Sequence, residues 1–533
     1  MAGFAGVCND SFSGRNGGLV RRFLLYYIHM LPEVAYAELI RQAREESLLA
    51  SCADLLGWDE ETYMPRQGAA HRGEQMALLA GFIHDLAADP RIGELLNVLD
   101  NSHLVEDAES VEAVNIREIR RAHHRATRLP RRLLTELAKV TTLAQHEWAF
   151  ARRDADFARF RPWLDKIINL KRREAEALGY GVSPYDALLE EYEPGANGTA
   201  LAALFAELRR ELVPLVGAIA NSGRASPDDS ILHRNYPLDR QHAFGEMTAA
   251  ALGFDFQRGR LDSAAHPFSI GIGPGDCRIT TRFNQNDFSD AFFTILHETG
   301  HALYEQGLDP AHNGTPMGSA PSLGLHESQA RLWENTIGRS LPFWKHFFPL
   351  AQETFHESLR DVTLESFHFA VNRVRPSLIR VQADEVTYNL HILIRFELEQ
   401  ALLAGEIKAA DLPAAWSEAY QRYLDITPAN DKEGCLQDGH WACGQFGYFP
   451  TYTLGNVFAA QLYATASAQM SGLDASFAQG DSRPLLEWLR ANVHRQGGRY
   501  QAVQLLERVT GSPTDHRPLV AALQRKFGEL YRL

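Results

Sequence analysis

Apolar residues recur along most of this chain at spacings of three to five, and that spacing predicts helices. In AYAELIRQAREESLLASCADLLGW, Leu39, Ala43, Leu48, Cys52 and Leu56 fall near one face of a helix. Similar amphipathic stretches cover roughly 69–88, 109–127, 130–179, 199–220, 240–253, 352–373, 384–404, 413–425 and 483–497. Strand signal is sparse: His266–Gly271 and the alternating CRITTRF of Cys277–Phe283 are the candidates. Loops are marked by EPGANG (193–198), NSGRASPDD (221–229), GIGPGD (271–276) and GTPMGSAPSLG (314–324), none of which has the composition of an interdomain linker. The pattern predicts one large, mainly α domain.

Composition narrows the class. The chain has 533 residues, 45% of them hydrophobic, and a formal net charge of -14. That acidity argues against nucleic acid as a partner, because phosphate binding calls for a basic face. The five cysteines form no CxxC pair, so neither a disulfide framework nor a cysteine zinc knot is predicted, and a reducing cytoplasm is the simpler setting. The longest apolar run, Phe23–Leu31, is about half of what a membrane span requires. Arg21 and Arg22 before it and Ala35-Tyr36-Ala37 after it fit parts of a signal peptide, but His29 interrupts the run and the stretch upstream is long and loop-like. Residues 1–30 therefore read as an N-terminal extension, disordered or wrongly assigned, with Met30 an alternative start. No membrane partner is expected.

The chemistry concentrates in SDAFFTILHETGHALY, where His297-Glu298-Thr299-Gly300-His301 forms HExxH. On a helix, positions i and i+4 share a face, so both imidazoles can converge on one metal ion. Glu298 sits about 100° further round the axis, close enough to take a proton from a metal-held water. A catalytic zinc wants three protein ligands, and Glu327 in the helix-compatible GLHESQARLWEN is the natural third. Gly300 costs about 1 kcal/mol relative to alanine inside a helix, which is more readily tolerated where a close approach requires it.

Beyond this motif the chain resembles the carboxypeptidase Taq family of metallocarboxypeptidases (M32). The resemblance is carried in order by LLGWDEETYMP (55–65), YDALLEEYEPG (185–195), His266-Pro267-Phe268, Asp276-Cys277-Arg278-Ile279-Thr280, His297–His301, His326-Glu327-Ser328-Gln329, IRVQADE (379–385) and Gly434–Trp441, and it runs from about residue 36 to the C-terminus. It implies a helical bowl or saddle with a deep groove and a small sheet near the metal. Residues 31–533 would then form a single metallocarboxypeptidase domain, assembled as a homodimer. It implies one Zn2+ per subunit, held by His297, His301 and Glu327, with Co2+ or Mn2+ able to substitute. The expected reaction removes single residues from free peptide C-termini, with broad preference and poor tolerance of proline.

Further roles follow from the matching motifs. His440 matches the motif histidine that would donate to the oxyanion, with Tyr448 or Tyr452 sharing that task. Arg380 is the first candidate for the substrate's terminal carboxylate and Arg375 the second; a salt bridge from Arg380 to Asp384 at i+4 is the competing reading. CRITTRF, with Arg278, reads as an edge strand able to pair with the substrate backbone. Gln437 and Asp438 would shape the closed end of the groove. The chain departs from the family at Gln382, where relatives often carry Glu, and at Ala330, where Ser is usual. Position 331, four after the third ligand, is Arg rather than an acid, so the carboxylate orienting a zinc histidine must come from elsewhere, with Asp384 as candidate. Two other readings stay open: an endopeptidase, and a zinc- or peptide-binding protein without catalysis.

Overall fold

The computed structural model describes residues 30–533, so the expectation for residues 1–29 lies outside it. Helices dominate, and two that build the site begin at side-chain caps. The helix Phe288–Glu305 that carries HExxH starts where the Asp287 carboxylate accepts from the backbone N–H groups of Ser289 and Asp290. The helix Leu323–Arg331 starts where Ser322 accepts from Leu325 N–H, and the buried Glu193 carboxyl accepts from Gly324 N–H at the same helix end. That helix runs on into a π-helical segment, Leu332–Ile337, a geometry often found at functional sites.

Most expected helices are present with shifted ends, and two long stretches divide. The 130–179 stretch is two helices, Arg131–Asp154 and Phe157–Leu178, because Ala155 turns into the left-handed region (φ 54°) and Asp156 caps the second. The 352–373 stretch is divided among the end of Leu341–Thr354 and two short helices, His356–Leu359 and Leu364–Val371, with non-helical residues between them. Pro450–Gln469, buried along most of its length, carries apolar residues all round and so lacks the one-sided period that marks a helix in sequence.

Among the described residues the sheet has three strands: β1 (Gly259–Ser263), β2 (Ser269–Gly273) and β3 (Asp276–Thr281), in the order β1-β3-β2. β1 runs parallel to β3, with Gly259 opposite Cys277, and β2 returns antiparallel, with Ser269 opposite Ile279. This corrects the reading of CRITTRF as an edge: β3 is the central strand, its backbone already paired on both sides, and the edges are β1 and β2. GRLDS holds a single apolar residue, Leu261, too little to mark a strand that would flank β3 on its other side.

The main hydrophobic core spans the body, while Ala35, Leu39, Ile92, Leu95, Leu96, Leu99, Ile116 and Ile119 form a separate cluster among the N-terminal helices. The helix Pro32–Thr62 is tied to the sheet just past its end, where Tyr63 OH donates to the buried Asp262 at 2.6 Å. Among the described residues no helix is long and apolar enough to cross a membrane.

Candidate active site

Two helices meet here with almost nothing between their backbones. A Cβ placed on Gly300 would lie 2.6 Å from Ala330 Cα and 2.6 Å from the Gln329 carbonyl oxygen, so the HExxH helix can lie against Leu323–Arg331 only with glycine at this position. A third helix, Pro450–Gln469, closes from the other side, where a Cβ on Gly455 would stand 2.5 Å from Glu327 Cγ.

This packing brings His297, His301 and Glu327 together. Glu327 Oε2 lies 3.7 Å from His297 Nε2 and 3.4 Å from His301 Nε2. Each histidine is engaged through its other nitrogen. His297 Nδ1 pairs with Glu334 Oε2 at 2.9 Å, and His301 Nδ1 lies 2.6 Å from His326 Nδ1. Glu327, Arg331 and Glu334 stand at i, i+4 and i+7 and face the same way, with Arg331 Nε donating to Glu327 Oε1 (2.7 Å) and Nη1 3.3 Å from Glu334. The orienting carboxylate is therefore Glu334. Asp384 caps the turn before Tyr388–Ala404 by accepting from Val386, Thr387 and Arg375 N–H groups. The i+7 position carried the signal that inspection of i+4 alone missed.

The electrostatics follow from burial. Burial disfavours the charged His297 ring, but Glu327 and Glu334 outweigh it and raise its pKa to about 9. His301 is lowered to about 4, chiefly by burial. Burial, helped by Glu327 and Glu334, pushes Glu298 up to about 7, and among the described residues no donor bonds to its carboxylate. Glu327 itself is held far below the usual range, since Arg331 and the two histidines overcome its burial.

The other expected residues form a second network. Asp438 lies between two guanidinium groups: Arg380 Nε at 2.9 Å and Arg395 Nη2 at 2.6 Å. Gln437 Oε1 accepts from Arg380 N–H and from Arg395, both at 2.8 Å. Arg380 also donates to Tyr388 OH (3.1 Å), and its guanidinium sits 5.1 Å from the Tyr452 ring centroid. His440 Nε2 lies 3.2 Å from Tyr452 OH, and the Tyr448 ring stands 5.4 Å from that of Tyr452. Burial, opposed by Asp438 and assisted by both arginines, lowers His440 to about 4, so the ring is neutral. Tyr388 joins the two networks, because Arg331 stacks over its ring at 4.3 Å.

Arg380 thus pairs with Asp438, and the expected bridge to Asp384 is not the one it makes. Arg375 is exposed and stands outside this network. Arg278 is held by Asp276 (2.8 Å) and lies 4.1 Å from the Trp58 ring centroid. Arg395, fully buried, went unremarked in the sequence; a lone arginine in the apolar LHILIRFELEQ was its signal, since a buried charge requires a partner.

A sequence model of the carboxypeptidase Taq (M32) metallopeptidases matches residues 38–527. The chain belongs to that family. It is 50% identical over 512 residues to thermostable carboxypeptidase 1 of Thermus thermophilus, covering 94% of this chain and all of that one. It is 38% identical over 479 residues to carboxypeptidase 1 of Bacillus subtilis, covering 90% of this chain and 95% of that one. The crystal structure of the M32 carboxypeptidase from Deinococcus radiodurans superposes with a TM-score of 0.91 at 41% identity, over 94% of this chain and all of the other. The protein is a metallocarboxypeptidase.

A metallopeptidase needs a metal site, and among the described residues one group of three can form it: His297, His301 and Glu327, whose ligand atoms all lie within 4.8 Å of one another. The fit can be tested on geometry. Bonds of about 2.1 Å in a tetrahedron space ligand atoms about 3.4 Å apart, close to the 3.4 and 3.7 Å between Glu327 and the two imidazoles. The donor set, two imidazole Nε2 atoms and one carboxylate, suits a divalent ion and leaves a fourth position free.

Proposed function

We propose that this metallocarboxypeptidase uses Zn2+, held by His297, His301 and Glu327, to remove single amino acids from free peptide C-termini with broad preference. The observation that carries the reading is the aim of the three donors: both Nε2 atoms face Glu327 Oε2 while both Nδ1 atoms are occupied on the outer side. A divalent ion supplies a Lewis acid that lowers the pKa of a water it holds. Glu298 takes a proton from the attacking water; before an ion is bound, burial raises the proton affinity of its carboxyl, and among the described residues no hydrogen-bond donor competes for it.

The scissile carbonyl oxygen gains charge as the water adds, and His440 with Tyr452 meets it. A neutral His440 carries one N–H. Either Nδ1–H donates to the oxygen while Nε2 accepts from Tyr452, or Nε2–H donates to Tyr452 and the hydroxyl donates onward. Tyr448 stands beside them as the alternative donor. Arg380 receives the terminal carboxylate: with Arg395 it sets two guanidinium charges against the single carboxylate of Asp438, which leaves a net positive end to the site. Gln437 and Asp438 fix that end; Arg375 is the second candidate for the carboxylate and Arg278 a substrate contact on β3. We further read residues 31–533 as one domain, the enzyme as a cytoplasmic homodimer, and Co2+ or Mn2+ as able to replace zinc.

The test compares release of amino acids from an unblocked peptide and its C-terminal amide, by wild type and Glu298→Gln, with and without a chelator. Sequential release from the free peptide alone, abolished by chelation and by Glu298→Gln, upholds the proposal. Internal cleavage of the amide at a similar rate would replace it with an endopeptidase.

A further inference from the structure

The two metal-facing histidines are supported differently. His297 Nδ1 meets a carboxylate directly, at Glu334. His301 meets another imidazole: its Nδ1 lies 2.6 Å from His326 Nδ1, and His326 Nε2 lies 2.8 Å from Glu305 Oε1. The three side chains make an unbroken line from the metal site to the end of the HExxH helix.

We propose that His326 and Glu305 are positioning residues for His301, acting as a relay that holds its Nε2 lone pair toward the ion. The inference rests on the metal site proposed above. Proton placement along the line then has one solution. If His301 Nε2 is to bind an ion, its single proton sits on Nδ1 and donates to His326. His326 Nδ1 must then be the acceptor, so the proton of that ring sits on Nε2 and donates to Glu305. Reversing any bond places a proton on His301 Nε2 and removes the donor.

Packing holds the line in place. The His326 ring stacks on His301 (4.7 Å between centroids, 32°) and on Tyr304 (5.1 Å, 34°), which restricts rotation. Glu305 lies against β2 at Gly271, where a Cβ would stand 2.7 Å from Glu305 Oε2. The carboxylate lines a cavity of about 410 Å³ between the helix Pro32–Thr62 and β2. The Glu305 side chain is 29% exposed and so partly hydrated, and the His326 ring spans the distance from it to His301.

The experiment measures the zinc dissociation constant of the full chain by competition with a chelating indicator at fixed pH, together with the visible spectrum of the cobalt-loaded protein. His326→Phe keeps a ring in the stack but neither accepts nor donates. It is expected to weaken zinc about 10- to 100-fold and to alter the cobalt bands. His326→Gln, whose carboxamide accepts at oxygen and donates at nitrogen, should recover part of the loss, and Glu305→Gln should lie between. Circular dichroism of the metal-free variants checks folding; if His326→Phe does not fold, Glu305→Gln carries the test. Zinc affinity within twofold of wild type in the folded variants, with unchanged cobalt bands, overturns the relay. A wild-type chain that binds no zinc overturns instead the metal site on which it rests.

Discussion

Gly455 lies directly beneath Glu327: a Cβ there would come within 2.5 Å of Cγ and 2.9 Å of Cβ of the glutamate. The missing side chain is what lets the carboxylate reach His297 and His301. Gly455→Ala is therefore expected to displace Glu327 and weaken metal binding by on the order of 10-fold or more. Metal content after dialysis against a weak chelator measures this, and an alanine variant that retains metal as wild type does would show that Glu327 has room to move.

Metal uptake should release protons. In the metal-free protein His297 is raised to about 9, so at pH 7 it carries a proton that an ion must displace. His301, lowered to about 4, is already neutral and contributes none. Titration calorimetry of zinc binding in buffers of different ionisation enthalpy is expected to give at least one proton released from the protein near pH 7, the first from His297 and a further fraction from Glu298, which burial holds at about 7 and an ion's charge would lower. A value of zero would mean that His297 is neutral before the ion arrives.

Arg380 and Arg375 should separate cleanly. Loss of a charge-assisted contact to a terminal carboxylate is worth about 1.5–3 kcal/mol, so Arg380→Gln should lower kcat/KM for free peptides by about 10- to 100-fold. Arg375→Gln, at an exposed position outside the Asp438 network, should change it less than twofold. Kinetics on one unblocked peptide decide between them, and the reverse order would move the carboxylate site to the surface loop.

Acid should unfold the protein partly through His494. This ring is fully buried, its Nε2 lies 3.0 Å from Gln329 Oε1, and burial lowers its pKa to about 3. The folded state resists protonation that the unfolded chain accepts near 6.5, so the contribution is complete above that pH and is lost as pH falls toward 3. The slope for this one group is at most about 1.4 kcal/mol per pH unit. Thermal midpoints from pH 7 to pH 4 should fall less steeply in His494→Gln than in wild type.

Much of the site was legible because local spacing encodes it. HExxH places two imidazoles on one helical face by periodicity alone, and Gly300 announced a close approach that Ala330 supplies. What stayed hidden depended on longer reach. Glu334 sits two turns beyond Glu327 across a π-helical segment, and Arg395 matters only because the loop carrying Asp438 folds back upon it. The order β1-β3-β2 was unreadable for a similar reason: β1 precedes the hairpin and pairs across it, and no residue pattern in GRLDS names its partner. The helix Pro450–Gln469 was missed because burial on all sides erases the period that reveals a helix.

The contact of Gly300 with Ala330 has a consequence for which ions the enzyme can use. Two main chains touching without side chains between them make a rigid caliper, and its opening is set before any ion arrives. An ion that prefers longer bonds can gain room only by turning the imidazoles and the Glu327 carboxylate, against Glu334, His326 and Arg331 that hold them. Exchange among small divalent ions would then cost little in structure, whereas a larger one would have to strain the contacts by which Glu334, His326 and Arg331 hold the three side chains.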